Sequence, residues 1–251
     1  MAKYLIPDMT RVEYGLEIKE KVIPDGSANK PNRLLLHRKP EYITIHNTDR
    51  IKVIGTTQSE QYARATHNGN MGGVSVHYYI DEADCWQLLN EYEMGYHAAD
   101  GNTGPGNGTS LAIEIIMDGS GDKTDAEAED RGALLAAILL HRHGLTIDKL
   151  KAHHDWYSKK YCPVYILPHW DKFVKKVMDF KDAIENPGDV DRDGKVTTKD
   201  ARLALRAAIG LETLRRVQRV AADVDRNNKI DTKDAREILR KSVGLGGKKD
   251  G

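Results

Sequence analysis

The stretch EYITIHN (41–47) alternates: Thr44 and His46 fall on one side of an extended chain, Ile43 and Ile45 on the other. Period two is the mark of a strand with its faces in different surroundings. Working outward, VSVHYYID (74–81), CWQLL (85–89) and LAIEIIM (111–117) read as three more strands. Helical spacing takes over at 56–68, at 125–143 and at 168–184. The second of these is opened by Thr124 and stopped by Gly144; the third carries Trp170, Phe173, Val174 and Val177 as its apolar side. Strands interleaved with helices predict an α/β domain over residues 1–184, with a mixed central β-sheet flanked by helices. The Gly/Asn-rich loops at 100–108 and 118–122 are expected to overlie a site, because loops on a rigid scaffold carry function. Residues 1–40 add an edge strand or a lid.

A different pattern begins after Asn186. GDVDRDGKVTTKDARLALRAAIGLE, from Gly188, returns as ADVDRNNKIDTKDAREILRKSVGLG, from Ala222, at an offset of 34. Each copy places oxygen-bearing residues at positions 1, 3, 5, 7, 9 and 12 of a loop, the spacing that wraps calcium. The first offers Asp189, Asp191, Asp193, the Lys195 carbonyl, Thr197 (through water) and Asp200. The second offers Asp223, Asp225, Asn227, the Lys229 carbonyl, Asp231 and Asp234. Position 6 needs a sharp turn, supplied by Gly194 and by Asn228, a residue that tolerates the left-handed conformation. One Asp-rich turn can merely cap a helix. Two copies sharing the whole pattern argue for two calcium ions that this small all-α domain, 187–246, needs in order to fold. Leu203, Leu205 and Ile209, and Ile238, Leu239 and Val243, read as the apolar stripes of the helices that follow the loops.

The charge supports the division. The 251 residues are neutral as a whole, yet from Asn186 onward 16 Lys and Arg face 11 Asp and Glu, net +5, leaving 22 against 27, net −5, before it. Arg202, Arg206, Arg215, Arg216, Arg219, Arg236, Arg240 and Lys241 make the last helices basic. That surface suits an anionic polymer such as a wall teichoic acid; the plainer reading is a solvated basic face. No apolar run reaches the length of a membrane span, and no charged-then-apolar leader opens the sequence, so synthesis in the cytoplasm is the expectation. With two cysteines a disulfide framework is excluded, and Cys85, beside Trp86, reads as a small buried apolar residue.

Cys162 has a different setting. In AHHDWYSKKYCP (152–163) it lies in a polar, turn-rich segment, eight residues after His154. A thiolate and an imidazole from one loop, with a third donor at a strand end such as His46, would fill three corners of a zinc tetrahedron and leave the fourth for water.

These segments together resemble the zinc-dependent N-acetylmuramoyl-L-alanine amidases related to phage lysozymes and peptidoglycan recognition proteins. The resemblance runs over about residues 40–180, through YITIHNT, SVHYYID, GYHA with GNGTSLAIEI, and AHHDWYSKKYCP. It implies one zinc held by His46, His154 and Cys162, the eight-residue interval choosing His154 over His153. Many relatives carry a tyrosine where this chain has Val76, and others rely on a glutamate of the central strand. The resemblance therefore implies Glu114 as general base and Lys160 as the group facing the oxyanion. His97 of GYHA is implied to bind substrate or to serve as a core hydrogen bonder, with Tyr96 and Trp156 as groove walls. Residues 187–246 resemble the type I dockerin domain, whose loop positions 10 and 11, here Thr198–Lys199 and Thr232–Lys233, are contact sites for cohesin. Thr-Lys in both copies implies that docking could run either way round.

The function expected is hydrolysis of the amide between N-acetylmuramic acid and L-alanine in peptidoglycan, in the manner of a phage or prophage endolysin acting on the wall after release. The competing expectations are a non-catalytic peptidoglycan-recognition protein and an amidase docked on a cohesin scaffold. No nucleic-acid partner and no membrane span are expected.

Overall fold

A computed structural model describes residues 4–50 and 56–245; the outer limits at Met1 and Gly246 lie outside them. By its internal contacts the chain divides into two compact units, Met1–Arg11 with Leu16–Val177, and Val12–Gly15 with Met178–Gly251.

The first unit is built on seven strands in the order β1-β2-β5-β4-β6-β3-β7. They are β1 (Met9–Glu13), β2 (Leu16–Glu20), β3 (Tyr42–Asp49), β4 (Tyr78–Ile80), β5 (Cys85–Gln87), β6 (Ser110–Met117) and β7 (Leu150–Ala152). Ahead of residue 40 the chain thus supplies the edge strand β1 and its inner neighbour β2. The sheet is mixed: β4 and β5 are antiparallel, whereas β6 pairs in parallel with β4 and β3, and β3 with β7. β3 and β6 run side by side for eight residues, so His46 stands directly opposite Glu114.

The strand expected over 74–81 shortens to β4 for a local reason. The Ala112 amide, which would extend the ladder, donates instead to Nδ1 of His77 at 3.1 Å. The other ring nitrogen of His77 faces the Glu93 carbonyl at 2.9 Å. An imidazole has replaced a backbone acceptor, and regular pairing starts one residue later at Tyr78.

Helix α1 (Gln58–His67) is capped by Thr57, whose hydroxyl accepts from the Glu60 amide. It covers the sheet face that carries His46, with Ala63 packed among Val76, Tyr79, Trp86, Ala112 and Ile116. The short helix α2 (Pro105–Thr109) lies inside the Gly/Asn-rich segment read as a loop. Helix α3 (Lys123–Arg142) begins earlier than its apolar spacing indicated, because the cap is Asp122, whose carboxylate accepts from the Thr124 and Asp125 amides. It does end at Gly144, which takes a positive φ of 63° while Leu145 N–H returns to the Leu140 carbonyl. Every residue from Gly132 to Leu140 is buried. Each large aliphatic side chain so placed contributes about 1.5–3 kcal/mol. Gly132 is where α3 meets β6: a Cβ there would lie 2.3 Å from Ile115 Cδ1. Then follow α4 (His153–Trp156) and α5 (Trp170–Glu185).

The second unit holds α6 (Thr198–Ala208), α7 (Arg216–Ala222) and α8 (Thr232–Ser242). α7 precedes the second loop, where no helix was expected; its seven residues are too few to show a periodic stripe. The stripes read from the sequence are also redrawn. Val190, Ala201, Ala204, Leu214, Ala222, Ala235 and Ile238 form the core, whereas Leu205, Ile209, Leu239 and Val243 are exposed. Alanines take most of the buried positions of α6 and α8, with Ile238 beside them and Leu203 packed against the cluster.

Candidate metal centre and active site

β3 and β6 set the floor of the site. His46 is 1 % exposed, and its Nδ1 lies 3.9 Å from Glu114 Oε1 and 3.9 Å from Cys162 Sγ. The next ligand comes from β7. Its last paired residue, Ala152, is level with Ile45, so the following residue, His153, arrives beside His46 with ring centroids 4.6 Å apart. His46, His153 and Cys162 offer ligand atoms within 4.8 Å of one another, and all three are buried.

The histidine that joins this cluster is His153, where the expectation named His154. A fixed interval to Cys162 presumes a loop of fixed length, whereas the strand ladder sets direction. As first residue of α4, His153 continues the line of β7; His154, about 100° further round the helix, points away. The His154 ring nitrogen Nδ1 instead meets the Lys160 carbonyl at 3.0 Å, and its amide donates to the Cys162 carbonyl at 2.9 Å. Asp155 fixes the turn by accepting from the Ala152 amide at 2.8 Å.

The donor set fits a divalent ion. Both ring nitrogens of His153 are buried with no partner within hydrogen-bond geometry. Such orphans are costly unless something absent from the protein atoms satisfies them. Burial, then the neighbouring His97, His153 and Lys160, hold His46 well below the ordinary histidine range. Burial and Lys160 bring His153 down to about 4. Two neutral imidazoles thus present lone pairs. Burial, reinforced by Glu114, pushes the Cys162 thiol up to about 11, so a cation is needed to draw off its proton. Cys85 and Cys162 are both free thiols, and Cys85 is wholly buried as expected.

Glu114 meets the demands on a general base. Burial raises it to about 7, against the lowering effects of the Thr48 hydrogen bond and the Lys160 charge. Thr48 Oγ1 donates to Oε2 at 2.6 Å, leaving Oε1 toward His46. Lys160 is exposed, yet its charge acts on His46, His153, Glu114 and Cys162 alike. His97 is 7 % exposed and its Nδ1 lies 3.2 Å from His46 Nε2. Trp156 donates from its indole to Thr44 Oγ1 at 2.9 Å and meets Tyr42 edge-on, while Tyr96 is held through its amide by Ser75.

Sequence reasoning missed three residues here. Thr48 lies two places beyond His46 on the same strand face, a signal that period two could have supplied. Asn47 ties the loop after Cys162 to the sheet, accepting from the Tyr165 amide at 3.0 Å and donating to the Ile115 carbonyl at 3.1 Å. His153 was visible but set aside.

In the second unit, Asp189, Asp191 and Asp193 cluster, as do Asp223, Asp225 and Asp234. The loops are wired alike. Asp189 accepts from the amides of Asp193 and Gly194, and Asp223 from those of Asn227 and Asn228. Gly194 and Asn228 both take positive φ, 90° and 66°. Asp200 gathers the amides of Val190, Asp191 and Thr197; Asp234 gathers those of Val224, Asp225 and Asp231. Thr197 and Asp231 double as helix caps, and Lys195 and Lys229 donate their amides to Asp193 and Asn227. Burial and mutual repulsion raise Asp191, Asp223 and Asp234 from the ordinary aspartate value.

Comparison with known proteins agrees with both halves. Residues 187–241 match the dockerin type I domain. CwlH, an N-acetylmuramoyl-L-alanine amidase of Bacillus subtilis (strain 168), is 31 % identical over 160 residues, which cover 64 % of this chain and 60 % of CwlH. XlyA, an amidase from the same strain, is 34 % identical over 158 residues, 63 % of this chain and 50 % of XlyA. The chain thus spans less than two thirds of either relative. The catalytic domain of XlyA superposes with a TM-score of 0.56 at 32 % identity, covering 64 % of this chain and 98 % of that domain. Residues 36–165, just over half the chain, match the N-acetylmuramoyl-L-alanine amidase model, and the chain belongs to that family.

Proposed function

We propose that the protein is a zinc-dependent N-acetylmuramoyl-L-alanine amidase of the endolysin kind, cutting the amide between the lactyl group of N-acetylmuramic acid and L-alanine of the stem peptide. One observation carries the reading: a glutamate held near neutrality stands opposite a histidine that shares a 4.8 Å cluster with a second histidine and a cysteine. His46, His153 and Cys162 would hold the zinc, which when bound acidifies water and polarises the scissile carbonyl. Glu114 takes a proton from the attacking water as the oxygen bonds to the carbonyl carbon. The Lys160 ammonium faces the oxyanion that forms. As the carbon–nitrogen bond breaks, Glu114 returns the proton to the departing L-alanine nitrogen. Digestion of purified bacterial wall should release new L-alanine amino termini, whereas new reducing sugar ends would mean that another bond is cut.

For the second unit we propose two calcium ions, one in each Asp-rich loop, and docking onto a cohesin through α6 and α8. The dockerin match supports this, as do the exposed pairs Leu205–Ile209 and Leu239–Val243 at equivalent places in the two repeats. The basic residues of these helices favour a second partner, an anionic wall polymer, whose binding would weaken as salt is raised. Binding to a cohesin and to teichoic-acid-bearing wall, each with calcium at two salt concentrations, separates the two. Action at the wall, after synthesis in the cytoplasm, belongs to the same proposal.

A further inference from the structure

The contact between His46 and His97 has a chemical consequence. A neutral imidazole carries one proton for two nitrogens, and a metal can take only the nitrogen that lacks it. Nδ1 of His46 faces Cys162 and Glu114, each at 3.9 Å, so it is the nitrogen turned toward the metal cluster. Its Nε2 faces Nδ1 of His97 at 3.2 Å, with the rings nearly perpendicular at 89°. One proton must lie between those two nitrogens for the contact to be a hydrogen bond. If His97 supplied it, the proton of His46 would sit on Nδ1 and block the site.

We propose that His97 is a positioning residue: its Nδ1 accepts the proton of His46 Nε2 and fixes His46 in the tautomer whose Nδ1 is open to the metal. The inference rests on the zinc reading given above and extends it to the residue behind the ligand. The backbone is arranged for the task. Amides of His97 and Ala98 both donate to Asn107 Oδ1 at 2.7 Å, and Asn107 is held in turn by Asp100 through its own amide and by the Gly101 carbonyl. These bonds fix the backbone from which the His97 ring projects toward His46. With Nδ1 accepting, its own proton belongs on Nε2. Outer partners of this sort set both ring orientation and tautomer of metal-bound histidines, and their loss weakens metal binding by about 10–100-fold.

The test uses three full-length proteins: wild type, His97→Phe, which keeps a ring but has no acceptor, and His97→Asn, whose Oδ1 occupies the place of Nδ1. Nitrogen-15 NMR of the metal-free wild type should show His46 with its proton on Nε2. A His46 proton on Nδ1 in that spectrum overturns the inference, whether or not either variant folds. Zinc titration against a chromogenic chelator should show about 10–100-fold weaker binding in His97→Phe and recovery to within a few-fold in His97→Asn. The cobalt(II)-substituted variant with Phe should also show shifted visible bands. Equal affinity and identical spectra in all three would refute the positioning role while leaving the zinc reading intact. A wild type with the Nε2 tautomer that takes up no zinc would instead defeat the zinc reading and leave the hydrogen bond standing.

Discussion

The two candidate metal-binding regions of this chain are built by opposite routes. In the amidase unit the candidate ligands come from positions 46, 153 and 162, and a seven-stranded sheet brings them together. Each repeat of the second unit draws its candidate ligands from twelve consecutive residues, and the two repeats share one core of seven mostly small side chains. The first region can form its site without the ion, because the ladder between β3, β6 and β7 fixes the geometry. The second holds carboxylates within 4.8 Å of one another, a repulsion that loop amides offset in part and that a bound cation would relieve further. On the proposed reading the fold precedes the metal in one region, and in the other the metal completes the fold.

The sharpest break between chemistry and scaffold is Glu114→Gln. It should lower kcat/KM for wall hydrolysis by about 10²–10⁴-fold with zinc content unchanged, whereas Cys162→Ser should lose zinc and activity together. Full activity of Glu114→Gln in a turbidity assay would remove that residue from the role of base.

Calcium removal tests the other half. In calcium-free buffer supplemented with zinc, α6, α7 and α8 should lose their helical signal while wall cleavage persists. Two sites filled at a hundredfold excess over Kd supply about 5 kcal/mol of stability that this exchange withdraws. Circular dichroism with limited proteolysis would show it; a calcium-free tail that resists protease would contradict the contrast.

If the sheet assembles the amidase site, damage to its scaffold should appear in the first unit's unfolding alone. Glu91 is such a scaffold residue. Burial would raise its pKa, but hydrogen bonds from His143 and Tyr78 and the charge of Arg142 outweigh burial and bring it down to about 2. A lowered folded pKa stabilises above the unfolded value of about 4.3, and the gain disappears as pH falls through about 2. Glu91→Gln should therefore cost on the order of 2–3 kcal/mol at pH 7, a gap that closes near pH 2 in urea titrations. Gly132→Ala is the smallest effect. Crowding of Ile115 costs about 1–3 kcal/mol, of which the better helix propensity of alanine returns about 1. A melting curve unchanged or raised by this substitution would mean that α3 and β6 have room to part.

How much of this could be read in the sequence follows from the same contrast. The Asp-rich loops were legible as loops because their pattern is local and repeated, Asp189 through Asp200 and Asp223 through Asp234. Their helices were less so: alanines took most of the core positions and left Leu205 and Leu239 outside, so hydropathy alone did not show which face turned inward. In the amidase unit, His46, Glu114 and Cys162 stood out through strand alternation and motif order. His153 did not, because the choice between adjacent histidines depends on the pairing of Ala152 with Ile45, a contact across more than a hundred residues. His97 was visible as a residue but not as a neighbour of His46, for the same reason.

Zinc analysis of His153→Ala and His154→Ala, purified side by side, tests the centre of this account most directly. Wild type and His154→Ala should each carry one zinc per chain and His153→Ala essentially none. Zinc retained by His153→Ala and lost from His154→Ala would contradict it.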